Sequence, residues 1–302
     1  MTKPTISSYL LLFFQGAIWG SSFQAIKFAL EGYGPISVAA GRILLAAIIV
    51  TIYALMRGHY FPRNPRTILL LVIIGFFNCA LPFFLIPWGE QYLDTGRTAI
   101  FMATGPLIAL GIAHFSTTDE RLTFFKGSGF LIGFVGVFFV IGLKTFQGEA
   151  NALWPQLAII CAAISYAVSG AIAKKSENVP SSMFTACVLI SASLMTVPVS
   201  LLIEAPFDVD FSVTGHNSLL AILYLGLVPT GLAFLIRFHL LRKVGYTFVS
   251  QVGYLVPMFG VLFGVIVFKE TITQSIIIGL VLILAGIAVS RLTKDSFRVG
   301  SD

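Results

Sequence analysis

The sequence predicts an all-α integral membrane protein of ten transmembrane helices, arranged as two inverted five-helix repeats with both termini cytoplasmic. Three observations carry the prediction. Only 11% of the 302 residues are charged and the mean hydropathy is +0.94, whereas a soluble domain carries about 25% charged residues. The apolar residues gather in runs close to the ~20 residues that cross the hydrocarbon of a bilayer. One local pattern also occurs twice. Glu120-Arg121-Leu122-Thr123 is followed by Gly129 and Gly136, and 150 residues later Glu270-Thr271-Ile272-Thr273 is followed by Gly279 and Gly286.

The charge-poor runs lie at about 8–26, 35–56, 67–87, 95–115, 124–143, 152–173, 181–203, 217–236, 245–268 and 272–290. None alternates with the two-residue period of a barrel strand, and backbone inside lipid must satisfy its own hydrogen bonds, so each run is expected to be a helix. The first run, Tyr9 to Ile26, has no marked cleavage pattern after it and is expected to be a retained helix. Cytoplasmic segments are rich in Lys and Arg. With the N-terminus inside, the inner segments hold Lys3, Arg57, Arg63, Arg66, Arg121, Lys126, Lys174, Lys175, Arg237, Arg242, Lys243, Arg291, Lys294 and Arg298, which is 14 of the 19 basic residues. The outer segments hold four, Lys27, Arg97, Lys144 and Lys269, and Arg42 lies within a span.

A repeat of five helices makes the second copy enter from the opposite side. The expected units are residues 1–145 and 150–292, followed by a short cytoplasmic tail at 293–302. Other echoes keep nearly the same offset: Pro106 with Pro257 and Gly75 with Gly226 at 151, Pro35 with Pro180 at 145, and Trp19…Lys27 with Tyr166…Lys174 at 147. Glu120 is then expected on the cytoplasmic face and Glu270 on the outer face. Inverted repeats of this kind are typical of secondary transporters, whose substrate site lies near the midplane between the halves.

Several function classes are excluded. The net charge of +6 is scattered between apolar runs and forms no nucleic-acid motif. Cys79, Cys161 and Cys187 each lie within an apolar run, without disulfide or metal-type spacing, so neither metal nor cofactor is expected. The chain lacks His-Glu-x-x-His, Gly-x-Ser-x-Gly, a paired intramembrane Asp and a phosphate-binding Gly-x-x-x-x-Gly-Lys loop. It therefore does not read as an enzyme or an ATP-driven pump.

Gly129, Gly133, Gly136, Gly260, Gly264, Gly279 and Gly286 are expected to form faces where helices approach closely. Pro82, Pro87, Pro106, Pro229 and Pro257 can kink their helices around a cavity, or merely shape the bundle. Arg42 is the one clear charge inside a span, where it must meet a partner or water. It has two readings: contact with a substrate carboxylate, or a structural role through a salt bridge to Glu90 or Asp94 or by snorkelling outward. Glu90 is the carboxylate nearest the membrane core and a candidate for proton coupling, with a wet outer-loop position as the alternative; His114 and His239 lie near span ends. Trp19, Ser22 and Phe23 in the first run, Asn78 in the third, Tyr166 and Ser169 in the sixth, Tyr224 in the eighth, and Gln251 and Tyr254 in the ninth are candidate cavity residues. Interhelical polar contacts are the competing account of each.

The Ala17-Ile18-Trp19-Gly20 run, the Pro-Ile-x-x-Ala-Ala-Gly-Arg stretch from Pro35 to Arg42, and the Glu-Arg-Leu-Thr hinge together resemble the EamA branch of the drug/metabolite transporter superfamily. The likeness spans essentially the whole chain. It implies a basket-like bundle in which helices 1, 3, 4, 6, 8 and 9 face a central cavity while helices 5 and 10 lie away from it. It also sets the second span partly behind that cavity, which favours the structural reading of Arg42. The second hinge reads Lys-Glu-Thr-Ile-Thr, without the Arg of the first. What the resemblance implies is a secondary transporter of the bacterial inner membrane, exporting a small metabolite such as an amino acid by alternating access. A carrier of sugar phosphates or nucleotide sugars is the alternative, although phosphate usually needs several fixed cations. The expected partners are a small-molecule substrate and the lipid bilayer; a monomer is preferred and a dimer stays open.

Overall fold

A computed structural model describes residues 4–116, 124–141, 153–173, 179–209, 216–249 and 251–290. The Glu120–Thr123 hinge, Lys144, Lys174, Lys175 and the tail beyond 290 lie outside the described residues, as do the side chains of His114 and Lys126. All regular structure among the described residues is helical. Five helices are long and apolar enough to cross a membrane: Pro35–Met56, Pro65–Glu90, Leu153–Ala173, Ser181–Ile203 and Asn217–Arg237.

Helix α1 runs Ile6–Ala29 and α2 runs Pro35–Met56. Thr5 and Ser8 form a reciprocal cap at the start of α1, and α2 starts on a proline, whose missing N–H has no partner to lose there. The third run is one helical rod made of α3 (Pro65–Gly75), a π-helical segment (Phe76–Ala80) and α4 (Leu81–Glu90). Asn64 caps it by accepting the Arg66 N–H at 2.9 Å. The fourth run is broken into α5 (Thr95–Met102) and α6 (Gly105–Ser116). Pro106 cannot donate a backbone N–H, and the Thr104 hydroxyl donates to the Phe101 carbonyl at 2.7 Å across the break.

Next come α7 (Phe124–Ile141), α8 (Leu153–Ala173) and α9 (Ser181–Ile203). The eighth run repeats the construction of the third, with α10 (Asn217–Leu225), a π-helical segment (Gly226–Leu232) and α11 (Ala233–Lys243). The ninth is broken like the fourth, into α12 (Tyr246–Val249) and α13 (Val252–Phe268), and α14 (Gln274–Ser290) closes the described chain. The uninterrupted spans expected at 95–115 and 245–268 are thus each two helices. The two π segments sit at corresponding places, on Gly75 and Gly226. The first ends two residues before Pro82 and the second contains Pro229, and each proline ring would strike the carbonyl four residues back in a regular α-helix.

The repeat becomes geometry where α7 crosses α14. A Cβ on Gly136 would stand 2.8 Å from the Gly279 carbonyl oxygen, and a Cβ on Gly279 would stand 2.8 Å from the Gly136 oxygen. Gly129 meets Gly286 in the same way. Gly129 corresponds to Gly279 and Gly136 to Gly286, so each glycine touches the counterpart of the other glycine in its own helix. That is the contact pattern of a two-fold axis, and it requires the two helices to run antiparallel. The remaining contacts obey the same exchange. Helix α2 packs on the second π segment as α9 packs on the first, α1 packs on α13 as α8 packs on α5 and α6, and α2 and α9 pack on each other. Outward-facing side chains are apolar: Leu44, Ile48, Ile52 and Leu55 make an exposed stripe along α2, a surface suited to lipid.

Candidate functional site

Arg42 is placed by the way α2 begins. Glu204, at the C-terminal end of α9, accepts the Ile36 N–H at 3.0 Å and the Ser37 N–H at 2.7 Å. A carboxylate there complements the positive end of the helix dipole. The Ser37 and Ser200 hydroxyls join at 2.9 Å beside it. Seven residues after Pro35, about 10 Å along the axis, Arg42 is buried with only 5% of its surface exposed.

Its partners differ from those expected. The Arg42 Nε and Nη2 donate to the Thr230 hydroxyl at 3.3 and 3.1 Å, and the guanidinium carbon lies 4.0 Å from the centre of the Phe83 ring. Neither Glu90 nor Asp94 hydrogen-bonds it, and a side chain so deeply enclosed does not snorkel. Thr230 sits in the second π segment and donates its own hydroxyl to the Leu225 carbonyl at 2.8 Å. That carbonyl is four residues before Pro229, which has no N–H to offer it. In the π segment Thr230 lies five residues after Leu225, so its hydroxyl folds back onto its own helix, and there it meets Arg42.

Phe83 stands edge-on to Tyr166, with 6.5 Å between ring centres, and Tyr166 and Cys79 lie within electrostatic reach of the guanidinium. Asn78 lies in the first π segment, its amide donating to the Cys79 sulfur at 3.7 Å. Ser165 of α8 donates to the Phe77 carbonyl of the same segment at 2.7 Å. On the other half, Trp19 of α1 donates its indole N–H to the Pro229 carbonyl at 2.9 Å. The Arg237 guanidinium carbon is 5.7 Å from the Trp19 ring. Tyr224 shares a 2.6 Å hydrogen bond with Ser21.

Five of the sequence candidates, Trp19, Arg42, Asn78, Tyr166 and Tyr224, thus lie on or beside the two π segments. The others are placed differently. Ser22 donates to the Trp19 carbonyl of its own helix at 2.6 Å, and it is the neighbouring Ser21 that reaches α10. Phe23 is core, against the position where a Cβ on Gly260 would project. Ser169 is buried on α8. Gln251 is exposed at the turn before α13, and Tyr254 is half-buried one turn later. The reading missed Thr230, Phe83 and Ser21. For Thr230 a signal existed: a hydroxyl residue directly after an in-span proline can satisfy the carbonyl that the proline frees.

A second polar group ties α1, the start of α5, α13 and the segment after it together. Gln24 donates to the Thr95 hydroxyl and to the Gly260 carbonyl, both at 2.9 Å. Glu270 accepts the Thr95 N–H and hydroxyl at 2.7 Å each and the Gly96 N–H at 2.9 Å. The glutamate of the repeated hinge is therefore a cap for a helix of the other half. Glu90, expected as a possible wet loop residue, is wholly buried at the end of α4.

The family model for the EamA-like transporter family matches residues 6–142 and 153–292. The chain belongs to that family. Among curated relatives it is similar to the uncharacterized transporter YoaV of Bacillus subtilis, 23% identical over 93% of this chain and 96% of that protein. It is likewise similar to an uncharacterized transporter of Buchnera aphidicola, 29% identical over 87% of each chain. The uncharacterized inner membrane transporter YedA of Escherichia coli is 25% identical over 93% of this chain and 89% of its own length. A solved crystal structure of a protein with 20% sequence identity superposes with a TM-score of 0.69, covering 99% of this chain and 100% of that one, which speaks for the fold.

Proposed function

We propose that this EamA-family transporter is a secondary carrier of the bacterial inner membrane that exports a small carboxylate-bearing metabolite, with amino acids as the leading class. Ten membrane crossings, both termini cytoplasmic and alternating access of two inverted halves complete the reading. It is supported by the two-fold contact pattern, by the inner-side excess of Lys and Arg in the sequence, and by the inner-membrane relative.

One observation carries the substrate assignment. Arg42 is a buried guanidinium with five donors whose hydrogen-bonding partner among the described residues is a single neutral hydroxyl, in the second π segment. A buried cation without a carboxylate partner is costly, and a substrate carboxylate supplies the missing charge in bidentate geometry. Phe83 and Tyr166 beside it, and Trp19 and Tyr224 along the second π segment, offer aromatic faces, three of them with polar tips, suited to the rest of a small amphipathic molecule. Helix segments with π geometry are also where backbone can re-register, which alternating access needs.

The test is thermal stabilisation of detergent-purified protein by a panel of amino acids, polyamines, nucleosides, cationic drugs and sugar phosphates. A ligand at a hundred times its dissociation constant adds about 2.7 kcal/mol. The expected result is stabilisation by one or more amino acids that is absent in Arg42→Ala. Stabilisation by sugar phosphates, or by amino acids equally in the variant, would overturn the assignment.

A further inference from the structure

Glu90 is the buried group that neither the fold nor the Arg42 site uses. Its side chain is 0% exposed, and neither carboxyl oxygen has a hydrogen-bond partner. The charged groups that face it are Lys27 from α1, Glu270 from the segment between α13 and α14, and Arg42 from α2. None is engaged with it. Lys27 directs its ammonium to the backbone carbonyls of Glu90 and Leu93, at 2.7 and 3.3 Å, and so closes the C-terminal end of α4. Glu270 is held by Thr95 and Gly96, and Arg42 by Thr230. Helix α8 packs on the same end, where Gly89 faces Ile159 and Pro155, and it contains no Asp, Glu, Lys, Arg or His. On the turn that follows α4, Asp94 is exposed and turned to solvent. A carboxylate buried from water with no hydrogen-bond donor, and with each nearby cation bonded to another group, is poorly tolerated as an ion, whereas its neutral acid is.

We propose that Glu90 is a proton-binding site, occupied in this conformation and emptied to water when the adjoining ends of α1, α5 and α13 part. The tie that must open is the one through Gln24, Thr95, Gly260 and Glu270. Once it opens, Lys27 is the nearest cation to stand beside the carboxylate, and the proton leaves to water at that end of the bundle. The link between this event and solute movement rests on the transporter reading; the occupied proton site does not.

Infrared difference spectroscopy of purified wild type against Glu90→Gln tests it directly. A protonated-carboxyl C=O band is expected at neutral pH in the wild type and not in the variant. Identical spectra would overturn the proposal. In Gln24→Ala, which cuts the tie from α1 to Thr95 and Gly260, the band is expected to weaken as water reaches the site, and an unchanged band would overturn the opening step. Should Glu90→Gln fail to fold, dicyclohexylcarbodiimide gives a second reading on the wild type, because it labels protonated carboxyls in apolar surroundings. Mass spectrometry should then find Glu90 modified and Glu204 and Glu270 not; an unmodified Glu90 would overturn the site. None of these measurements needs a transported substrate, so the substrate assignment can fail while this one stands.

Discussion

Replacing Glu270 probes whether the two halves are fastened by the hinge of the repeat. Its carboxylate receives three hydrogen bonds, from Thr95 N–H and Oγ1 at 2.7 Å each and from Gly96 N–H at 2.9 Å. Buried bonds to a charged acceptor net about 1.5–3 kcal/mol each, but Glu270 is half-buried and water replaces part of the loss in a truncated variant. Loss of a helix cap costs about 0.5–2 kcal/mol and loss of a favourable charge at a helix start about 0.3–1. Glu270→Ala should therefore destabilise by about 1–3 kcal/mol. At about 2–4 °C per kcal/mol for a chain of this class, its melting point in detergent should fall by about 2–12 °C. Glu270→Gln keeps an oxygen for Thr95 and loses the Gly96 acceptor and the charge, so it should lie between wild type and Glu270→Ala. Gln24→Ala removes the donor to the same Thr95 hydroxyl that donates to Glu270, and its effect should be non-additive with that of Glu270→Ala. An unshifted melting point in Glu270→Ala, or a Glu270→Gln variant weaker than Glu270→Ala, would refute the reasoning.

Gly136→Ala places a methyl 2.8 Å from one backbone atom and 2.9 Å from another on α14, and should cost about 1–3 kcal/mol in thermal melts. Gly170→Ala meets nothing within 4 Å and should be neutral or slightly stabilising. Thr230→Val removes the hydroxyl that serves both Arg42 and the Leu225 carbonyl, so it should cost about 2–3 kcal/mol, while Thr230→Ser should stay near wild type. Lys269 sits in the left-handed region with φ of 56°, where glycine is unstrained, and Lys269→Gly should raise the melting point by the equivalent of about 0.5–1 kcal/mol. Both pairs are read by the same melting assay, and reversed order within either pair would contradict the packing described.

Much of the fold was legible because lipid simplifies the code. The run at 35–56 is α2 to the residue, and the glycines spaced seven apart declared a close crossing whose partner proved to be the other copy of the same motif. Composition alone showed the helical class, since backbone in lipid has few alternatives. The breaks at 103–104 and at Gln251 were not legible, because Thr104 and Gln251 look no different from other polar residues within apolar runs. Arg42 stood out as a charge, but its partners come from α4 and from a π segment about 190 residues away in sequence. No helical periodicity joins such positions. Glu204 was hidden for the same reason: it reads as the end of a span, and only the packing of α9 on α2 turns it into a cap. Glu270 was singled out as a repeat marker without its job, because the left-handed turn at Lys269 that throws it back across α13 has no signature in a lysine.

The measurement that tests the central claim most directly is transport by the purified protein in liposomes, with Arg42→Lys beside the wild type. Lysine keeps the charge but not the planar fork that binds a carboxylate through two bonds. The account predicts that wild-type vesicles move at least one amino acid across the bilayer well above protein-free vesicles. It also predicts that Arg42→Lys, with a near-wild-type melting point, loses most of that flux. Equal flux in the two proteins, or flux restricted to substrates without a carboxylate, would contradict it.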